Sequence, residues 1–309
     1  MVRGRAGRLA AAVVVAAWLV FGAGSAVAAP KGIFSIFSGC PLGELEQLGA
    51  NPDTSLCFYG QITSGQMAIG GLRVPFARTI TLEGGFAQTG NPENEREFFM
   101  VPNPGGQTLA GAELAIRPDM LDCAGITGSG KMEKEDRLVC GLNPGLQVAL
   151  EVVTSAKHRA IFNLFSLARR EGVALTLPVR LHLKGALLGA ACYIGSEADP
   201  IEWHLTDGRT DPEPPAEAIS GKLGQLETLE EPKLVMLRVP NELLVDNTFS
   251  VPAAQGCGEA SLSAFVGQLI DAELRLPSKD GHSSIVMSGT LNVAVSGEAV
   301  ESSERLPEA

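Results

Sequence analysis

Four histidines and six cysteines carry most of the chemistry this 309-residue chain could support. His282 follows Asp280 and Gly281 in a turn signal ahead of an apolar alternation, and with Asp246 and Ser284 it would complete an acid, base and nucleophile set if folding brought the three together. Such triads are defined by geometry and not by chain order. His182 and His204 each fall on the polar side of a strand-like pattern, where a cross-strand pair would offer imidazoles to a metal. The alternative for both is a solvated side chain without a role. His158, between Lys157 and Arg159, reads as solvated.

The cysteines at 40, 57, 123, 140, 192 and 257 contain no Cys-x-x-Cys pair, so a zinc centre is not expected. An even set in an exported chain reads as a disulfide framework. The most local pairing joins Cys40 to Cys57, Cys123 to Cys140, and Cys192 to Cys257.

Other chemistry fails on detail. Gly125 to Lys131 matches seven positions of a phosphate-binding loop, but Met132 stands where the magnesium-ligating hydroxyl belongs. There is no Gly-x-Ser-x-Gly elbow, no His-Glu-x-x-His helix and no EF-hand loop. No cofactor or metal is expected.

The elements that must position these residues read mainly as strands. Val173, Leu175, Leu177, Val179, Leu181 and Leu183 alternate with small or polar residues, the period of a strand with one buried face. Pro178 inside this run predicts an edge strand or a bulge. Ile285, Met287, Leu291, Val293 and Val295 form a second alternation, and Ile201, Trp203 and Leu205 a third. Shorter strands are expected at 57–59, 79–82, 147–153 and 234–239, and Gly70-Gly71 predicts a hairpin turn. One segment keeps helical time: Leu262, Phe265, Val266, Leu269 and Ile270 put an apolar stripe on a helix over about 260–274 that should cover one side or end of a sheet. Residues 160–171 are a second helical candidate. Residues 91–96, 102–106 and 206–217 read as exposed loops. The expected fold is mainly β: an antiparallel sandwich-like core with one packed amphipathic helix, stapled by disulfides.

Composition sets the address and excludes partners. Arg3, Arg5 and Arg8 precede an apolar run of about 13 residues and the small-residue site Ala26-Val27-Ala28, the layout of an export signal over residues 1–28. That run is too short to span a bilayer, and no transmembrane segment is expected in the mature chain, residues 29–309. Loss of the three arginines takes the formal charge from −11 to −14. An acidic surface of this kind does not bind nucleic acid. Only Trp203, Tyr59 and Tyr193 would remain beside the phenylalanines, too few aromatic platforms for a sugar module. One β domain is expected; the alternative is two lobes over about 29–187 and 188–309, suggested by Cys57-Phe58-Tyr59-Gly60 against Cys192-Tyr193-Ile194-Gly195.

Several segments carry a resemblance. These are Leu177-Pro178-Val179-Arg180-Leu181-His182-Leu183, Cys192-Tyr193-Ile194-Gly195-Ser196, Pro200-Ile201 with Leu205-Thr206, Val245-Asp246-Asn247-Thr248-Phe249, Gly256-Cys257-Gly258 and Leu276-Pro277-Ser278. Together with Cys57-Phe58-Tyr59 and Ile80-Thr81-Leu82-Glu83-Gly84-Gly85, the chain resembles a group of exported actinobacterial proteins of unknown function, departing from it around Cys123 to Cys140. The resemblance implies export to the cell surface or medium and no catalytic residue. The expected function is a non-enzymatic binding or structural role outside the cell, toward an extracellular macromolecule or envelope component; a secreted hydrolase and a carrier for an apolar small molecule are the alternatives. A pocket lined by the odd positions of residues 173–183 favours the carrier, and Asp246 or Asp280 meeting His282 and a serine favours the hydrolase.

Overall fold

The computed structural model describes residues 28–88, 97–103, 105, 108–117, 120, 146–258 and 263–307. Residues 1–27 of the expected export signal (1–28), the expected loop at 91–96, the Gly125 to Lys131 run and the expected Cys123 and Cys140 pair lie outside them. From the N-terminus come a 3-10 turn (Gly32–Phe37), α1 (Leu42–Gln47), β1 (Leu56–Ile69), β2 (Leu72–Pro75), β3 (Ile80–Gln88), β4 (Phe98–Pro102), β5 (Leu109–Ala110), β6 (Glu113–Ala115) and β7 (Gln147–Val152). Then follow β8 (Ile161–Phe162), α2 (Leu164–Arg169), β9 (Leu175–Lys184), β10 (Tyr193–Ile194), β11 (Ile201–Leu205), β12 (Glu227–Glu231), β13 (Leu234–Asp246), β14 (Ala254–Gln255), α3 (Ser263–Leu274), β15 (Ser284–Val295) and α4 (Ser296–Arg305).

All named strand pairs are antiparallel, as the alternations predict. The sheet order runs β13, β15, β1, β3, β4, β8 and β9, with β11 on the other side of β9. β11 then returns to β13: Thr206 and Val245 exchange both backbone bonds, at 3.0 and 2.9 Å. The sandwich-like core is therefore closed laterally, with β1, β3, β4, β8 and β9 forming one contiguous arc of the ring and β11, β13 and β15 the other. Closure pairs the long strands β9, β11 and β13 and leaves open edges to short strands such as β2, β12 and β14.

The interior holds the main apolar cluster, with Phe58, Phe86 and Phe162 meeting at centroid distances of 5.4–5.5 Å. A second cluster lies on the outside of β1 and β13, where Cys57, Met236 and Ala294 pack under Phe34, Phe37, Leu45 and Ala299. The Cys40–Cys57 disulfide pins this cover to β1. A second disulfide joins Cys192 to Cys257. Both match the local pairing.

α3 packs as expected, burying Val266, Ile270 and Leu274 at spacing four, while Phe265 stays half exposed at the margin of the stripe. Asp271 accepts the Ala254 N–H at 2.7 Å, and the Leu274 carbonyl accepts the N–H of Gly71 in the β1–β2 hairpin. The helix thus closes one end of the ring. The second helical candidate is split: residues 161–162 are β8, and Asn163 caps the short α2 by accepting the N–H groups of Phe165 and Ser166.

Three expectations need correction. Pro178 sits in a strand paired on both sides, not at an edge. Its carbonyl accepts the Val153 N–H, so its missing donor faces the gap where β7 has ended and β8 has not begun. The 206–217 segment is not an exposed loop throughout: Thr206, Asp207 and Thr210 are buried, Thr206 pairing with Val245 of β13 and Thr210 with Ile219. His158 is not solvated; its side chain is 12% exposed and its Nδ1 lies 2.8 Å from Glu202 Oε1.

The wall around Gly289 decides what faces the interior. β1 carries a bulge between Ile62 and Ser64, β13 one between Pro240 and Glu242, and both flank Gly289 of β15. One extra residue reverses which face a strand presents. On β1 the inward set changes from Leu56 and Phe58 to Met67 and Ile69; on β13 it changes from Val239 to Glu242 and Leu244. β15 has no extra residue and keeps Ile285, Met287, Leu291 and Val293 inward throughout. A Cβ on Gly289 would stand 1.8 Å from the Gln61 carbonyl oxygen. Gly289→Ala should therefore cost about 3 kcal/mol in urea unfolding, by forcing the two bulged strands apart; a cost below about 0.5 kcal/mol would show that the double bulge is not tightly set.

Candidate binding site in the barrel interior

The bulge in β13 turns a carboxyl into an apolar interior. Glu242 is 2% exposed and lines a cavity of about 40 Å³ whose other walls include Phe58, Leu82, Leu175, Leu177, Trp203 and Leu244. Leu175 and Leu177 are odd positions of the β9 alternation. Half-buried Gln61, Ile62, Ser288 and Gly289 lie at the bulges on the rim. The free volume suits about three waters or a short alkyl group.

Glu242 Oε2 accepts the Gly224 N–H at 2.7 Å, while Oε1 has no hydrogen-bond partner among the described residues. Burial pushes the carboxyl up to about 7; the Gly224 N–H opposes this, the charge of Asp207 adds to it, and Arg170 opposes it. The neutral acid is thereby favoured below neutrality. Trp203, 1% exposed and opposite Leu177 in the β9–β11 pair, lines the same cavity with its indole Nε1 also unpartnered. An orphaned buried polar atom costs roughly 1–3 kcal/mol, so two on one small cavity call for an explanation.

Two further acids occupy the seam between β11 and β13. Asp246 accepts the His204 N–H at 2.6 Å and both the N–H and hydroxyl of Thr248 at 2.7 Å; burial raises its carboxyl despite these bonds. Asp207 is fully buried, and among the described residues no other residue bonds either of its oxygens; burial raises it too, opposed by its own backbone N–H and by Arg170.

The expected triad residues lie apart in role. Asp246 is consumed by the seam. Ser284 opens β15 opposite Ala68, and His282 lines an open cleft of about 450 Å³ with Arg73, Arg275 and Lys279. No hydrogen bond joins any two of the three among the described residues. Asp280 Oδ1 is buried without a partner rather than bonded to His282. His182 stacks on Tyr193 at 4.4 Å and lies 3.4 Å from Glu151, while His204 faces Thr176, six positions along β9 from His182. The cross-strand histidine pair does not form. Among the described residues, no group of three or more His, Cys, Asp or Glu side chains could hold a metal ion.

Sequence reasoning missed Glu242, Asp207 and the orphaned Trp203. The available signal was Pro240-Asn241 within a strand pattern, punctuation that marks a bulge and a change of face. No family model matches the chain, and no curated protein or solved structure matches it.

Proposed function

We propose that this is an exported, non-enzymatic binding protein that takes a small apolar molecule, or the apolar end of a larger one, into the barrel interior beside Glu242. The observation that carries the reading is an apolar cavity, walled by alternate residues of β9, into which a double bulge directs a buried carboxyl with a free oxygen. Buried polar atoms without partners concentrate at binding and catalytic sites. The absence of a hydrogen-bonded nucleophile and base among the described candidates favours binding over hydrolysis.

Export is supported by the leader-like N-terminus and by two disulfides, which fit an oxidising compartment. Among the described residues no helix is long and apolar enough to cross a membrane. The likeness to exported actinobacterial proteins points to the cell surface or medium as the place of work, with an envelope component as the source of the ligand.

Methyl NMR of the full chain titrated with xenon and with propane, probes small enough for the cavity, tests the reading. Saturable binding and a raised Tm are expected, both reduced at least about tenfold by Leu177→Phe, which fills the cavity. Absence of saturable binding by either probe contradicts it.

A further inference from the structure

We infer that the barrel interior is built for an apolar ligand bearing one neutral oxygen group, a hydroxyl or a carbonyl, held between the Glu242 carboxyl and the Trp203 indole N–H. This rests on the binding reading above and adds the chemical class of the ligand.

The two orphaned atoms set complementary demands. Indole Nε1 only donates, so the ligand must present an acceptor. A donor-only head such as an ammonium would leave Trp203 unsatisfied. A carboxylate would accept from the indole but would bring a third acid to Glu242 and to Asp207, itself buried. Asp207 and the Arg170 guanidinium act electrostatically on Glu242, and among the described residues Gly224 N–H alone donates to its carboxyl. A neutral acid has one donor and spare acceptor capacity at Oε1, so it can engage either a carbonyl or a hydroxyl. Apart from Gln61 and Ser288 on the rim, the rest of the wall, including Leu82, Leu177 and Leu244, is apolar and selects for hydrocarbon. A small number of placed polar groups in an apolar pocket is how such sites fix orientation and specificity.

The test is a set of small probes matched to the cavity, titrated into the full chain at pH 5.5 and followed by methyl NMR: propane, ethanol, acetone, acetate and ethylamine. Ethanol and acetone should bind about tenfold or more tighter than propane, with the carboxylate and the amine weaker than the ketone. Glu242→Leu and Trp203→Phe, with folding checked by circular dichroism, should each erase the preference for oxygen while propane still binds. Glu242→Gln, the milder change, should retain part of it. Equal binding of propane and ethanol overturns the inference alone and leaves the two atoms to water. Strongest binding by the amine also overturns it. Failure of every probe to bind overturns the cavity reading beneath it.

Discussion

Glu242→Gln should stabilise the protein at pH 8 and do little at pH 4. The carboxyl is raised from 4.5 to about 7 in the folded chain, chiefly because burial penalises its charge. Between those two values the folded state holds a proton that the unfolded state has released, so stability falls as pH rises. Below 4.5 the group is neutral in both states and contributes its full favourable difference; above 7 that difference is lost. A shift of this size corresponds to roughly 3 kcal/mol across the window. Asp207, Asp246 and Asp271 are raised by burial as well and act with the same sign, so the wild-type loss begins at lower pH and is larger than the Glu242 share. An amide keeps the acceptor for Gly224 N–H and removes the charge. Urea unfolding from pH 4 to 8 should show a shallower decline for the variant and a gain of about 2 kcal/mol at pH 8 after allowing for the new amide donor. Parallel profiles for the two proteins would mean that Glu242 is ionised and hydrated.

The same residue shows why some of this molecule was legible before folding and some was not. β9, β11 and β15 are readable because each presents one face to the interior over its whole length, so burial and sequence alternate together. β13 does not: Asn241 is an extra residue with φ 58°, and it reverses the inward face halfway along. A period-two reading ends the strand near Val239 and leaves Glu242 outside it. The ring closure was equally hidden, since it depends on the two-residue β8 and on the single bridge between Thr206 and Val245, neither of which has a period to detect. The triad failed for a related reason. Asp246 looked available for chemistry, yet the inward face that carries Glu242 and Leu244 also buries Asp246 against His204 and Thr248. Residue types suggested a catalytic acid; the bulge made it part of the seam.

The double variant Cys192→Ser, Cys257→Ser should lose about 4 kcal/mol of unfolding free energy. The disulfide closes a separation of 65 residues, and the chain-entropy model assigns a cost of that size to releasing such a loop. The enclosed segment contains Trp203, Asp207, Glu242 and Asp246, so it holds the entire seam between β11 and β13. Both sulfurs are buried, and their replacement by hydroxyls adds a desolvation cost in the same direction. The Cys40–Cys57 link closes only 17 residues and secures the outer cover, so its loss should cost about 3 kcal/mol and leave probe binding in the interior intact. A loss below about 1 kcal/mol on breaking the longer link would show that the seam is held by its backbone bonds and packing alone. Reversal of the order, with the shorter link more costly, would place the weak point of the fold at the N-terminal cover instead.

The binding site turns on a carboxyl facing an apolar interior. The most direct measurement is the ionisation of Glu242 itself, followed by carboxyl carbon-13 resonance in the full chain and assigned by its disappearance in Glu242→Gln. A midpoint near 7, moving upward when ethanol occupies the cavity, is the predicted result. A midpoint near 4.5 that ignores the ligand would place the side chain in water and contradict the site.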